Sequence, residues 1–342
     1  MSIAPVAGVF TMSLHKSAAA AGIVLMSFLC SLSYGFDQPP INLGFTSFMD
    51  GGPPSGPGFY YSQYFQYWNN SRLKNSHGGN LSLPVFGGQP GTAPIGFEDN
   101  NELDAWIGLS QFIYQSNTDG PCGSKLGLNV IVPEVWLDLD TGASDFLNEE
   151  SFGIGDLWVG PYLQWDPVMG KDGPIFMHRI EFQLILPTGE YDNDLELNPG
   201  SNLFSFNPYW AGTYFLTPKW TTSWRVHYLW NGENDSPNQN LYPGARDMQP
   251  GQAIHVNFTT DYEVIPKTLR LGLNGYFLDQ ITDSKINGRD IPHSQEQVFA
   301  IGPGLLYSFN QDNHLFLNLY FETDAENRAE GERLNIRYIR HF

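Results

Sequence analysis

Short and long connections alternate strictly through the second half of this sequence, and that alternation limits the folds open to it. The tight links are Thr217-Pro218-Lys219, Pro266-Lys267-Thr268 and Asn310-Gln311-Asp312-Asn313. Between them lie the long links 187–202, 231–250, 279–297 and 323–330. A membrane-spanning β-barrel sorts its connections in this way, with short turns on the periplasmic side and long loops outside. A soluble sandwich has no reason to sort its loops by parity. Counting back places 69–101 and 140–153 among the outer loops and makes 115–125 and 166–174 longer periplasmic turns.

These connections join about 12 strand-like segments: 58–68, 102–114, 126–139, 155–165, 175–186, 203–215, 220–230, 253–265, 269–278, 298–309, 314–322 and 331–342. Successive side chains on a strand point to opposite faces. Ile180, Phe182, Leu184 and Leu186 therefore oppose Arg179, Glu181 and Gln183. Trp224, Val226, Tyr228 and Trp230 oppose Ser223, Arg225 and His227. Leu103, Ala105, Ile107 and Leu109 oppose Asp104, Gly108 and Ser110. The final segment sets Leu334, Ile336, Tyr338 and Phe342 against Arg333, Asn335, Arg337 and His341. Arg340 breaks that pattern on the apolar face, where its long stem can snorkel to the interface. An even strand count returns both chain ends to the periplasm. The expected fold is all-β: a transmembrane antiparallel β-barrel of about 12 strands, with long outer loops and short periplasmic turns.

Composition supports a membrane address. The chain holds 24 Phe, 17 Tyr and 9 Trp, enough for aromatic girdles at two interfaces. After Leu32 no apolar run reaches membrane-helix length, so a span must be made of strands. The net charge of -19 excludes nucleic acid as a partner. Acidic residues gather in the proposed outer loops, while Lys125, Lys171, Lys219 and Lys267 fall in the periplasmic turns. Outer-membrane lipid and lipopolysaccharide are the expected surroundings.

The N-terminus reads as an export signal. Lys16 precedes an apolar run over 18–32, and Ser33 and Gly35 are small at the two positions a signal peptidase reads. Residues 1–35 are expected to be removed near Gly35, leaving a protein of the bacterial outer membrane, and Met1 and Met12 are both candidate starts. Cys30 leaves with the signal, and Cys122 alone cannot form an intramolecular disulfide. Residues 36–57 are rich in Pro and Gly, which excludes a regular helix or central strand. A linker is the first reading of this stretch, with a periplasmic tail or a plug folded into the lumen as the others. The barrel occupies 58–342.

Charges on the lipid face are costly, so Arg179, Glu181, Arg225, His227, His255, Asp261, Glu263, Arg270, Arg333 and Arg337 are expected to point inward. Asp156 and Gln164 join them. Such residues serve either as a packed structural network or as a selective ligand path. About 12 strands enclose modest internal space, which favours the network. No Gly-x-Ser-x-Gly elbow, phosphate loop or His-Glu-x-x-His occurs, so an enzyme is not expected. The faint calcium-like spacing over 138–149 lacks the glycine such a loop requires. Neither a metal nor another cofactor is expected.

Several local motifs resemble one family. They are Gly153-Ile154-Gly155-Asp156-Leu157 with Gly160-Pro161, and Leu186-Pro187-Thr188-Gly189 with Tyr191, Asn198-Pro199-Gly200 and Asn202. Gly275-Tyr276 leading to Asp279-Gln280-Ile281-Thr282-Asp283 follows, then Ile301-Gly302-Pro303-Gly304, Asn327-Arg328 and Gly331. Together they resemble the outer-membrane barrels linked to the phenol meta-cleavage pathway, over 58–342. The resemblance implies a barrel and the passage of small hydrophobic or aromatic molecules. The long first outer loop and the Trp-rich seventh strand fall outside it. The terminal Phe342 resembles the closing aromatic of outer-membrane barrels, which implies contact with the barrel-assembly machinery. The alternative function is a non-transporting structural or adhesive surface barrel.

Overall fold

The computed structural model describes residues 38–53, 56–85, 96–98, 102–140 and 149–342. The export signal over 1–35 and most of the calcium-like segment lie outside the described residues. Twelve long strands form the wall. They are β1 (Gly58–Leu73), β2 (Glu102–Asp119), β3 (Ser124–Asp140) and β4 (Leu157–Trp165). Next come β5 (Pro174–Glu181, resuming at Leu184–Leu186), β6 (Ser205–Phe206, resuming at Tyr209–Phe215), β7 (Trp220–Asn231) and β8 (Ala253–Ile265). The last are β9 (Leu269–Gln280), β10 (Gln297–Ser308), β11 (Asn313–Glu326) and β12 (Ala329–His341). Each pairs antiparallel with the next, and β12 closes on β1 through pairs such as Gln66 with Asn335. Closure leaves no unpaired edge among the described wall strands, as lipid demands.

The wall keeps its register across its prolines. Tyr162 faces Glu181 and Val159 faces Leu184 on either side of Pro161. The carbonyl of Pro161 still accepts the Phe182 N–H at 3.0 Å, and that of Pro208 accepts the Tyr228 N–H at 3.1 Å. A proline removes one donor here without parting the strands.

Side chains sort by parity. On the outside, Trp106, Trp136, Phe152, Trp230 and Phe321 ring the outer end. Phe59, Tyr114, Tyr214, Trp220, Tyr262 and Tyr307 ring the periplasmic end. These are the two aromatic girdles of a membrane barrel. Arg340 is exposed beside the lower girdle, its guanidinium 4.8 Å from the Phe342 ring.

Two features depart from the sequence reading. In β2 the apolar parity, Leu103, Ala105, Ile107 and Leu109, faces the lumen and not the lipid. The polar parity turned outward is satisfied locally. Asp104 accepts from Tyr67 at 3.0 Å and Asn69 at 2.6 Å, and Ser110 donates to Gln63 at 3.1 Å. The second departure is at 323–330, read as an outer loop. Here β11 and β12 run on above the membrane and leave only Asn327-Arg328 between them. Glu330 is buried and paired with Arg72 and Lys74 at 3.3 and 3.6 Å, where the sequence suggested a solvated loop acid.

Residues 38–52 run inside the barrel and bond to its wall along their length. Gln38 donates to Gly251 O and Gln280 Oε1, at 2.9 and 2.7 Å. Asn257 Nδ2 donates to Asn42 O, and Gly44 N returns a bond to Asn257 Oδ1, both at 2.9 Å. Asn335 holds Gly44 O at 2.6 Å, and Ser47 donates to Asn318 at 3.0 Å. Gly51 is pinned by Thr213 and Gln164 at 2.8 and 3.0 Å. A backbone without secondary structure needs such partners when buried, and wall amides supply them. Residues 38–52, held to the wall in this way, are the lumen segment, or plug.

Candidate functional site

Alternation delivers polar side chains into the lumen from every strand, and the plug organises them into clusters. Arg225 grips Asp50 of the plug with two hydrogen bonds of 2.7 Å, the planar fork matching the carboxylate. Arg179 approaches the same carboxylate at 3.9 Å. The Arg225 guanidinium sits 4.2 Å from the Tyr209 ring centre, and Arg179 is shared between Tyr162 and Tyr209 at 5.5 and 5.6 Å. Glu181 accepts from the Tyr209 hydroxyl and from Asn129 at 3.0 Å. His227 and His255 stack 3.9 Å apart and both donate to Asn207 Oδ1, at 3.2 and 3.0 Å. Nearer the periplasm, Asp261 pairs with Arg270 and accepts from Thr221 at 2.5 Å.

A second cluster lies toward the outer mouth. Glu322 accepts four bonds, from Tyr276, Arg333, Trp68 and the Gly331 N–H, at 2.6, 3.1, 3.0 and 2.9 Å. Arg333 also packs 3.9 Å over Trp68 and donates to Gln66 at 3.3 Å.

The ten residues expected to face inward lie on the lumen-side parity of their strands. Arg337 is half-buried, with Tyr64 and Phe316 rings at 5.1 and 4.9 Å. Glu263 keeps the parity of Asp261, opposite Arg270, and at the strand's periplasmic end it accepts from the Lys267 N–H at 2.7 Å. A bulge between Glu263 and Ile265 ends the alternation there. Gln164 is inward, and Asp156 sits at the outer end, holding the Gly189 and Ser201 N–H groups at 2.9 Å each. Sequence reasoning missed Asp50, which lies where no periodicity exists. It also missed Glu322, whose parity with His314 and Asn318 was available. The Glu181 cluster depends on a glycine. A Cβ at Gly160 would stand 2.1 Å from Glu181 Oε1. Gly160→Ala is expected to cost about 1–3 kcal/mol by overpacking, read from the urea unfolding midpoint.

Between the plug and the outer loops lies a cavity of about 280 Å³. Its floor is Ile41, Leu43 and Phe45 of the plug, and β2 presents its inward apolar row to it. Trp158 closes one side, and Leu195, Leu241 and Tyr242 reach over from the loops. Arg328 and Arg333 also reach it. An apolar concavity with few polar groups is the usual form of a small-molecule site.

A closed twelve-stranded wall, two aromatic girdles and a polar, plugged lumen define an outer-membrane-type β-barrel. The family described as "Putative MetA-pathway of phenol degradation" matches residues 71–338, and the chain belongs to that family. In fold the chain is similar to an outer membrane channel from Pseudomonas putida F1, at 18% identity and a TM-score of 0.69. That likeness covers 89% of this chain and 100% of the channel. Two further barrels align more loosely. They are the Pseudomonas putida toluene transporter TodX (8% identity, 89% and 98% covered, TM-score 0.43) and the translocator domain of the Neisseria meningitidis autotransporter NalP (9%, 96% and 98%, 0.44). The comparison with curated proteins finds no match.

Proposed function

We propose that this barrel passes small hydrophobic, aromatic molecules through the bacterial outer membrane and captures them in the outer cavity. The apolar lining of that cavity carries the reading. A cavity of roughly 150 Å³ holds a benzene ring, so this one suits one or two rings. The family's tie to phenol degradation and the channel named among similar folds point the same way. Beyond the cavity the plug fills the lumen, so Asp50 with Arg225 and Arg179 is the latch that onward movement must release. The inward cations and acids act in this reading as wall and latch, with the ligand meeting the cavity first.

Uptake of ring-labelled toluene by cells carrying Ala105→Trp and Leu109→Trp tests the reading. With the cavity filled, uptake is expected to fall to the level of cells without the protein, while the barrel still assembles. Uptake equal to the parent protein would remove the cavity from the route. N-terminal sequencing of the outer-membrane fraction from the same cells checks export. A start near Phe36 is expected, and a retained leader would overturn the cleavage site. One observation favours a second reading, a purely structural barrel: the lumen below the cavity is filled by paired side chains and plug. Wild-type uptake no higher than in cells lacking the protein would select it.

A further inference from the structure

We infer that the lipid-facing surface of β1–β3 is where a second copy of this chain packs within the membrane, in a twofold dimer held through Gln63, Asn69, Ser110 and Glu134. Gln63 shares its outward parity with the exposed Phe59 and Phe65, and Ser110 shares its own with the exposed Trp106 and Phe112. The two sit opposite each other across β1 and β2. Ser110 stands four residues from both Tyr114 and Trp106, about 13 Å along the strand from each girdle. Polar side chains therefore meet lipid at mid-membrane, where the far wall presents Leu271, Leu273 and Ile301. Glu134 on β3 faces outward two residues below Trp136 and opposite Gly108. Its Oε2 lies 3.3 Å from the place a Cβ at Gly108 would take, so the carboxyl leans across β2 instead of rising to the girdle. Among the described residues Glu134 has no hydrogen-bond or ion partner. A carboxyl on the lipid face without a partner is costly.

Within one copy this patch is satisfied only in part. Gln63 Oε1 accepts from the Tyr61 and Ser110 hydroxyls at 2.5 and 3.1 Å. Gln63 Nε2 gives one of its two hydrogens to Tyr64 O at 3.2 Å, and Asn69 Nδ2 gives one of its two to Asp104 at 2.6 Å. Among the described residues, one donor on each amide and both Glu134 oxygens are left over. Acyl chains offer neither donors nor acceptors, and lipopolysaccharide phosphates carry the same sign as a carboxylate. A second copy of the patch offers both kinds of group. A twofold axis along the membrane normal at β2 exchanges the β1 side for the β3 side, as an isologous contact does. It sets the amides of one copy on the same side as the Glu134 of the other. Hydrogen bonds between Ser, Asn and Gln side chains are the polar glue of membrane-embedded contacts.

Disulfide trapping in the outer membrane of intact cells makes the first test. The exposed Cys122 is replaced by Ser, and a single cysteine is placed on the patch by Ser110→Cys or on the far wall by Leu271→Cys. Copper phenanthroline is expected to link Ser110→Cys barrels into a dimer on a non-reducing gel and to leave Leu271→Cys barrels single. The second test dilutes the labelled full chain in lipid vesicles and reads its dissociation constant by fluorescence energy transfer. Gln63→Leu combined with Glu134→Leu gives the patch a surface that suits lipid, and heat-modifiable gel mobility establishes that this barrel folds. Its dissociation constant is expected to rise on the order of tenfold. Ser110→Cys barrels that stay single, or that link to a different protein, overturn the inference. Equal trapping at Leu271→Cys, which marks chance collision, overturns it too, as does a dissociation constant that the double variant leaves unchanged.

Discussion

Deleting residues 36–53 is expected to convert a sealed barrel into an ion-conducting pore. In planar lipid bilayers the full chain should stay near baseline, and the deletion variant should give steady, stepwise conductance. The reason is geometric. The plug's Leu43, Phe45 and Phe48 are buried at the barrel's centre, and its backbone is held by Asn257, Asn335, Thr213 and Gln164. Without it those amides and the Arg225 guanidinium face open space that water can fill. Asp50→Asn is the milder variant. It keeps the backbone bonds and removes the charge that Arg225 and Arg179 hold, so brief openings are expected. Circular dichroism and heat-modifiable gel mobility establish that each barrel has folded. A folded deletion variant that stays at baseline would mean that wall side chains fill the lumen unaided.

Breaking the Glu322–Arg333 pair gives the largest expected loss of stability. Glu322→Leu leaves Arg333 buried without a counter-charge and strips acceptors from Tyr276, Trp68 and the Gly331 N–H. Removing one partner of a buried pair typically costs about 3–5 kcal/mol. Arg333→Met should cost a similar amount. The double variant should recover much of that loss, because no unpaired charge remains. Urea unfolding in detergent reads all three. Single variants within about 1 kcal/mol of wild type would show that water reaches this cluster and replaces the missing partner.

Much of the fold was legible because a strand's period of two writes both its existence and its two faces into the sequence. Ile180 through Leu186 and Trp224 through Trp230 show this directly, and every wall strand falls where alternation and connection length place it. Most of the lumen residues follow from the same parity. Glu263 follows it too, opposite Arg270, and a bulge just beyond it ends the period where the chain turns.

What the sequence by itself determined is therefore the barrel: strand number, order, girdles and which side carries the turns. Tertiary structure decided what the barrel contains. Alternation divides residues into two faces without saying which face is inside. In β2 the answer came from the plug, whose Ile41, Leu43 and Phe45 offer an apolar surface that Leu103, Ala105, Ile107 and Leu109 turn to meet. Asp104 can then face outward because Tyr67 and Asn69 satisfy it. The plug itself carries no period, since its prolines and glycines form no regular element. Its place is fixed by amides and by Arg225, which lie more than a hundred residues away in the chain and only a hydrogen bond away in space.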